Sequence, residues 1–180
     1  MSRILILYGS TEGQTATIAE HVADVVRGHG HDVDVADVKR SRRLRLDPYD
    51  AVVVGASIHM GKHDHRVVDF VTRHREALEH VPSAFFSVSL AAHGDEGTAE
   101  RYVEELERRT GWRPAVVARF AGALRYTRYG ILKRHMMKRI ALDKPGGLGT
   151  DISRDYEYTD WAAVERFADD VVLALTTELA

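Results

Sequence analysis

The chain has 180 residues, of which 25 are Lys or Arg, 27 are Asp or Glu and none is Cys. This length suits one well-packed α/β domain, so we expect residues 1–180 to form a single domain. The balanced charge gives no reason to expect a nucleic-acid partner, and the lack of cysteine excludes disulfides, thiolate metal sites and a cysteine nucleophile. With no signal peptide and no apolar run of membrane-spanning length, we expect a cytoplasmic protein, soluble or peripheral.

The first predicted elements are a strand, a polar loop and a helix. Residues 4–7 form a short aliphatic segment, and from Thr15 onward apolar residues recur at helical spacing. The loop between them, residues 8–15, aims the free N–H groups of the helix's first turn at one point, where the helix dipole favours an anion. Hydroxyl donors and two glycines make a phosphate the natural ligand. The candidate phosphate-binding residues are Ser10, Thr11, Gly13, Gln14 and Thr15.

The same loop excludes several nucleotide-binding classes. It contains neither the G-x-x-x-x-G-K-S/T motif of nucleoside triphosphate sites nor the G-x-G-x-x-G motif of dinucleotide sites, so neither ligand is expected here. Its Ser-Thr-x-Gly-x-Thr pattern resembles the phosphate loop of flavodoxins, which holds the monophosphate of FMN without a basic residue. An ordinary strand-to-helix turn with a Ser or Thr cap is the alternative.

Strands and helices alternate along the rest of the chain. Further strands are predicted at 31–38, 51–55, 83–90 and 115–121, and helices at 67–80, at 98–109 and from Trp161 to the C-terminal region. Five alternating strands predict a doubly wound parallel sheet in the order 2-1-3-4-5, which is a flavodoxin-like α/β fold. In that fold the ligand lies beyond the carboxyl ends of strands 1, 3 and 4.

Two more loops, after the third and fourth predicted strands, reach this predicted ligand site. They supply backbone donors, small side chains and a few apolar contacts, which suit a flat isoalloxazine ring. Neither loop holds an acid/base pair or an activated nucleophile, so we predict no catalytic side chain, the chemistry belonging to the cofactor. The candidate ring-binding residues are Ser57, Ile58, His59, Met60 and Gly61 in one loop and Leu90, Ala91, Ala92 and His93 in the other.

The histidines suggest no metal site. His63 and His65 have H-x-H spacing, but no accompanying carboxylates define a recognised site, and we predict none. Exposed positions are expected for these histidines. For His59 and His93, which fall in the two ring loops, flavin contact and a surface position are both open.

A long basic connection, residues about 122–155, separates the fifth strand from the last helix. Seven Lys or Arg lie between Arg125 and Lys144, against a single acid. On a helix, Leu132, Met136 and Ile140 would form a stripe about 80° wide. Such a basic amphipathic helix suits an anionic membrane surface or a bulky substrate carrying carboxylates, while packing of the stripe on the domain is the alternative. Connections of this length are usually either functional or disordered.

Taken together, the chain resembles the flavodoxin-like, quinone-dependent protoporphyrinogen oxidases of haem biosynthesis. The specific part of this resemblance is Gly-Ala-Leu-Arg-Tyr at 122–126 with the basic insertion after it, which ordinary flavodoxins lack. Further matching stretches are 13–15, 55–58, 82–88, Arg128-Tyr129 and 158–161.

The resemblance implies an FMN enzyme. Such an enzyme removes six electrons from protoporphyrinogen IX in three rounds and passes them to a membrane quinone, menaquinone or ubiquinone, with peripheral contact at the inner face of the cell membrane. The insertion would then meet the porphyrin propionates, the quinone or lipid. The candidate residues for this role are Arg125, Tyr126, Arg128, Tyr129, Lys133 and Arg134. An electron-carrier flavodoxin and an NAD(P)H quinone reductase are the alternative functions.

Overall fold

A computed structural model describes residues 1–178. The strands of its main sheet are β1 (Arg3–Gly9), β2 (Asp32–Asp37), β3 (Ala51–His59), β4 (Lys62–His63), β5 (Ser83–Ser89) and β6 (Val116–Ala121). A separate two-stranded sheet contains β7 (Ala123–Leu124) and β8 (Tyr156–Glu157). The helices are α1 (Gln14–Gly28), α2 (His65–Glu79), α3 (Glu96–Thr110), α4 (Ile131–Asp143) and α5 (Trp161–Glu178).

The main sheet has the predicted doubly wound topology. Its strands run in the order β2-β1-β3-β5-β6, and each neighbouring pair along this path is parallel. The short strand β4, which the sequence did not predict, pairs antiparallel with the end of β3. Once β4 is left out of the count, the order is the predicted 2-1-3-4-5, so the flavodoxin-like fold is confirmed.

Alternating side chains on the central strands build one core on each face of the sheet. On β1, Ile4 and Ile6 belong to the cluster covered by α1 and α5. Leu5 and Leu7 point the other way, into the cluster covered by α2 and α3. All four are fully buried, as expected for a central strand of a parallel sheet with both faces covered. Strand β1, from whose end the predicted phosphate loop begins, is therefore packed on both faces.

The basic insertion, residues 122–155, starts and ends at one place on this framework. Strands β7 and β8 pair antiparallel, with Ala123 opposite Glu157 and Leu124 opposite Tyr156. Between them α4 and its flanking loops enclose a third apolar cluster, separate from the two cores of the main sheet. The insertion is thus a small packed lobe, closed at its base by β7 and β8. None of the helices within residues 1–178 is long and apolar enough to cross a membrane.

Candidate functional site

A cavity of about 290 Å³ opens at the carboxyl ends of β1, β3 and β5. This is where a doubly wound sheet binds its ligands, beside the switch point of the strand order. The predicted site residues that line it are Ser10, Thr11, Gln14, Thr15, Ser57, Ile58, His59, Met60, Gly61, Leu90, Ala91 and Lys133. The structure thus brings the three predicted loops together around one cavity.

The loop between β1 and α1 presents free donors to this cavity. Gly13 caps α1 in a left-handed conformation, with φ of 98°, which favours glycine, and no side chain caps the first turn of the helix. Two hydrogen bonds stabilise the loop. Within it, Ser10 Oγ accepts from the N–H of Gly13 at 2.9 Å, and from the segment after β2, Lys39 Nζ donates to the Ser10 carbonyl at 2.9 Å. The first-turn N–H groups are therefore available to an anion.

Gln14 connects this loop to two distant segments. Its side chain is buried, and its Nε2 donates to Thr159 Oγ1 at 2.9 Å. Its Oε1 accepts from Arg125 Nη2 at 2.7 Å. The Gln14 side chain therefore holds these segments together. The group of Gln14 that remains for a phosphate is its backbone N–H.

The loop after β3 is a tight hairpin with a strained tip. Ile58 pairs with His63 and His59 with Lys62, so residues 60 and 61 form the turn. Both have positive φ, 49° at Met60 and 75° at Gly61, as a two-residue hairpin turn requires. Glycine accepts this conformation readily, whereas methionine rarely does, and Met60 is also 89% exposed. The hairpin therefore holds the Gly61 backbone at the cavity rim.

His63 connects that hairpin to β5, contrary to the exposed position expected from the sequence. Its side chain is buried, its Nε2 lies 2.9 Å from Ser87 Oγ, and its ring packs edge-on against Phe85. Burial, with a smaller contribution from Arg109, lowers the His63 pKa to about 4. The imidazole is therefore neutral at physiological pH and joins the hairpin to β5 as a packed hydrogen-bonding group.

The loop after β5 contributes less than expected. Leu90 and Ala91 line the cavity, but Ala92 and His93 do not. The Ala92 N–H donates to Ser89 Oγ at 3.2 Å, and the His93 ring packs against Tyr158 with 4.4 Å between ring centroids. Of the two histidines left open by the sequence, His59 lies at the cavity and His93 packs on the segment after β8.

Helix α4 of the insertion forms a wall of the same cavity. The sequence identified the stripe of Leu132, Met136 and Ile140 but did not assign it to this site. Met136 and Ile140 line the cavity, and Leu132 does not. It gave no sign that Met137, Lys144 or Tyr102 would line the cavity, because these residues lie on elements that meet there only through the tertiary fold. The lining residues absent from the prediction are Glu12, Val88, Ser89, Tyr102, Gly122, Ala123, Met136, Met137, Ile140 and Lys144.

Two insertion residues predicted to contact substrate or lipid instead stabilise the insertion. Tyr126 is fully buried, and its hydroxyl donates to the Gly149 carbonyl at 2.9 Å. Arg134 donates from Nε to the Tyr126 carbonyl at 3.0 Å and from Nη2 to the Tyr129 carbonyl at 3.2 Å. Both side chains have internal partners, because the insertion folds on its own apolar cluster.

Three others contact the loop between β1 and α1 or the first residue of α1. The Tyr129 hydroxyl donates to Glu12, and Lys133 Nζ donates to Glu12 Oε1 at 2.7 Å. Burial, reinforced by the hydrogen bond to Glu12, raises the Tyr129 pKa well above its usual range, so the phenol stays protonated. Arg125, besides bonding Gln14, pairs with Glu157 at 2.9 Å. Arg128, the last of the six, is exposed.

The comparisons with known proteins agree with this architecture. A family model described as a flavodoxin domain matches residues 5–147. The chain is 38% identical over 172 residues to the protoporphyrinogen IX dehydrogenase (quinone) of Escherichia coli strain K12, covering 94% of each chain. It is also 38% identical over 175 residues to the protein of that name from Leishmania major, covering 93% of this chain and 74% of the other.

A solved structure shows the same fold at low sequence identity. The oxidised flavodoxin 1 of Bacillus cereus superposes with a TM-score of 0.54 at 17% identity, covering 96% of this chain and 98% of the other. This likeness supports the fold, and the more similar relatives support the narrower assignment. The chain therefore belongs to the flavodoxin domain family and, within it, to the family of the quinone-dependent protoporphyrinogen IX dehydrogenases.

Proposed function

We propose that this protein binds FMN and oxidises protoporphyrinogen IX to protoporphyrin IX, passing the electrons to a quinone. The observation that carries the proposal is the shared cavity, which has a flavodoxin phosphate loop on one side and the insertion's helix α4 on the other. The relatives that carry the dehydrogenase name match across both parts of the chain.

The donors and the apolar wall of the cavity fit FMN. The first-turn N–H groups of α1 and the hydroxyls of Ser10, Thr11 and Thr15 suit its phosphate, with Gly13 allowing close approach. Ile58, Leu90 and α4 supply apolar surface for the ring, and Ser57 to Gly61 supply polar backbone at its edge. When bound, FMN supplies two-electron transfer between the two substrates. Each round removes two electrons and two protons from the porphyrinogen and reduces one quinone to a quinol.

The tyrosines of the insertion leave room for a substrate. Tyr126 and Tyr129, which the sequence left as candidates to cover a ring face, are buried in the insertion and do not line the cavity. The half-exposed Met136 borders the opening instead. Arg128, which is exposed, and Lys144, which lines the cavity, are the cations we propose for the porphyrin propionates.

We also propose peripheral contact with a membrane, through the exposed face of α4. Ile131 and Leu132 are 78% and 87% exposed, and Met60 is 89% exposed at the cavity rim. The exposed cation Arg139 lies on the same helix. Apolar side chains beside cations favour an anionic lipid surface, which is also where a long-chain quinone is found.

The test is anaerobic oxidation of protoporphyrinogen IX by the FMN-loaded protein, followed by porphyrin fluorescence with and without a menaquinone or ubiquinone analogue. We expect porphyrin to form at a quinone-dependent rate above the enzyme-free control. NADPH is added in a separate reaction, followed by flavin absorbance. If NADPH bleaches the flavin and porphyrinogen does not, the protein is a quinone reductase. If neither reduces the flavin, an electron carrier replaces the proposal.

A further inference from the structure

We propose that Glu12, Tyr129 and Lys133 form a latch that fixes helix α4 on the phosphate loop and neutralises the Glu12 carboxylate beside the cofactor phosphate. The insertion is then a structural part of the FMN site, and Lys133 is a positioning residue that acts through Glu12. This inference rests on the proposed function in one respect, that the loop holds the phosphate of FMN.

The contacts of Glu12 join two parts of the chain that are far apart in sequence. Glu12 lies in the phosphate loop, two residues before α1 begins, and its carboxylate accepts from Lys133 Nζ at 2.7 Å and from the Tyr129 hydroxyl. Lys133 Nζ also lies 4.4 Å from the centroid of the Tyr129 ring. The Tyr129 oxygen accepts in turn from the Arg125 N–H at 3.2 Å. Each member of the latch therefore contacts the other two.

The latch residues are buried or partly buried, so solvent screens their charges only in part. The Glu12 and Lys133 side chains are 24% and 36% exposed, and Tyr129 is buried. Ion pairs of this kind are screened less than pairs on an open surface. Glu12 and Lys133 both line the cavity.

A carboxylate in a phosphate loop is unfavourable for an anionic ligand. Glu12 lies between Thr11 and Gly13, and an unpaired negative charge there would repel a phosphate. Lys133 cancels that charge and Tyr129 donates a hydrogen bond to it. Arg128 adds positive charge nearby, because its guanidinium lies close to Gly13. If Gly13 carried a Cβ, that atom would lie 3.9 Å from Arg128 Nη1. The insertion thus supplies the cations that offset Glu12.

Two roles for Lys133 give different results in a double-mutant cycle. If Lys133 acts by cancelling the Glu12 charge, its removal weakens FMN binding only while Glu12 is charged. If Lys133 instead binds the phosphate directly, its removal weakens binding whether or not Glu12 is charged. Lys133→Met, Glu12→Gln and the double variant separate these cases.

The experiment measures FMN dissociation constants by quenching of flavin fluorescence for the wild type and the three variants. We expect Lys133→Met to weaken binding about fivefold through the unpaired carboxylate. Glu12→Gln removes the negative charge but keeps an oxygen that can accept from Tyr129, so it should bind FMN at least as tightly as the wild type. The double variant should return to within about twofold of Glu12→Gln. The matched control is Arg139→Met, which removes an exposed cation from the same helix and should leave the dissociation constant unchanged.

A second readout uses the protein without FMN. Hydrogen exchange of α4 should be faster in Glu12→Gln and in Lys133→Met than in the wild type, because either change removes the ion pair that docks the helix. A double variant that stays as weak as Lys133→Met, or an α4 whose exchange does not change, overturns the latch. A wild type that binds no FMN overturns the proposed function instead, and the exchange measurement still tests the docking of α4.

Discussion

His63 shows how a single buried residue makes the β3–β4 hairpin sensitive to acid. Its pKa of about 4 in the folded protein lies below the ordinary value of 6.5, because burial disfavours the charged imidazole. The unfolded chain therefore binds the proton more readily than the folded one. The contribution of His63 to the free energy of unfolding is therefore fully present above pH 6.5 and is lost as the pH falls from 6.5 towards 4.

This predicts a loss of about 2 kcal/mol of unfolding free energy from His63 alone between pH 7.5 and pH 5. We propose to measure urea unfolding at both pH values for the wild type and for His63→Gln, which cannot titrate but can still bond Ser87. The wild type should lose about 2 kcal/mol more than the variant. His65→Gln, whose side chain is 72% exposed, is the control and should show the wild-type pH dependence. Equal losses in the wild type and His63→Gln would contradict the assignment.

The residues that could be predicted from the sequence are those whose signal is local. Ser10, Thr11 and Thr15 sit between an apolar run and a helical pattern, so their chain order alone indicates a phosphate loop. His63 carries no such signal, because its burial depends on the pairing of β4 with β3 and on Ser87 of β5. The bond between Glu12 and Lys133 joins residues 121 positions apart, and sequence spacing gives no information about it.

Helix α4 shows that the orientation of a whole element also could not be predicted from the sequence. Periodicity predicted its apolar stripe and the basic residues on the other side, but not which side faces the protein. In the structure Arg134 faces inward, because it donates to two backbone carbonyls, while Leu132 is 87% exposed. The N-terminal apolar residues of α4 therefore point outward, whereas Met136 and Ile140 of the same stripe line the cavity.

This orientation predicts that α4 binds anionic lipid. Replacing both Ile131 and Leu132 with Ser should weaken binding to vesicles containing phosphatidylglycerol about tenfold, because two exposed aliphatic side chains no longer insert. Co-sedimentation with vesicles measures this, and FMN affinity should be unchanged in the same protein. Leu173→Ser is the control, since Leu173 is 63% exposed on α5, away from the cavity. Vesicle binding that survives the double change would remove α4 as the lipid contact.

At the scale of the whole molecule, the cavity is lined by four segments that are far apart in the sequence. The phosphate loop, the β3–β4 hairpin, the loop after β5 and α4 each supply lining residues. A ligand that fills this cavity would contact all four segments. Binding to the folded state alone should therefore raise the free energy of unfolding and restrict motion in all four segments together.

Riboflavin, which has the ring of FMN without its phosphate, separates the contributions of these segments. At about 100 times its dissociation constant, FMN should raise the free energy of unfolding by about 2.7 kcal/mol. Riboflavin at the same concentration should raise it much less, because the free N–H groups at Gly13 and α1 have no anion to bind. Hydrogen exchange should slow at residues 10–15 with FMN only, and at residues 57–63 with both ligands. Equal stabilisation by the two flavins would mean that the loop after β1 does not hold the phosphate, and would place the binding energy in the hairpin and α4.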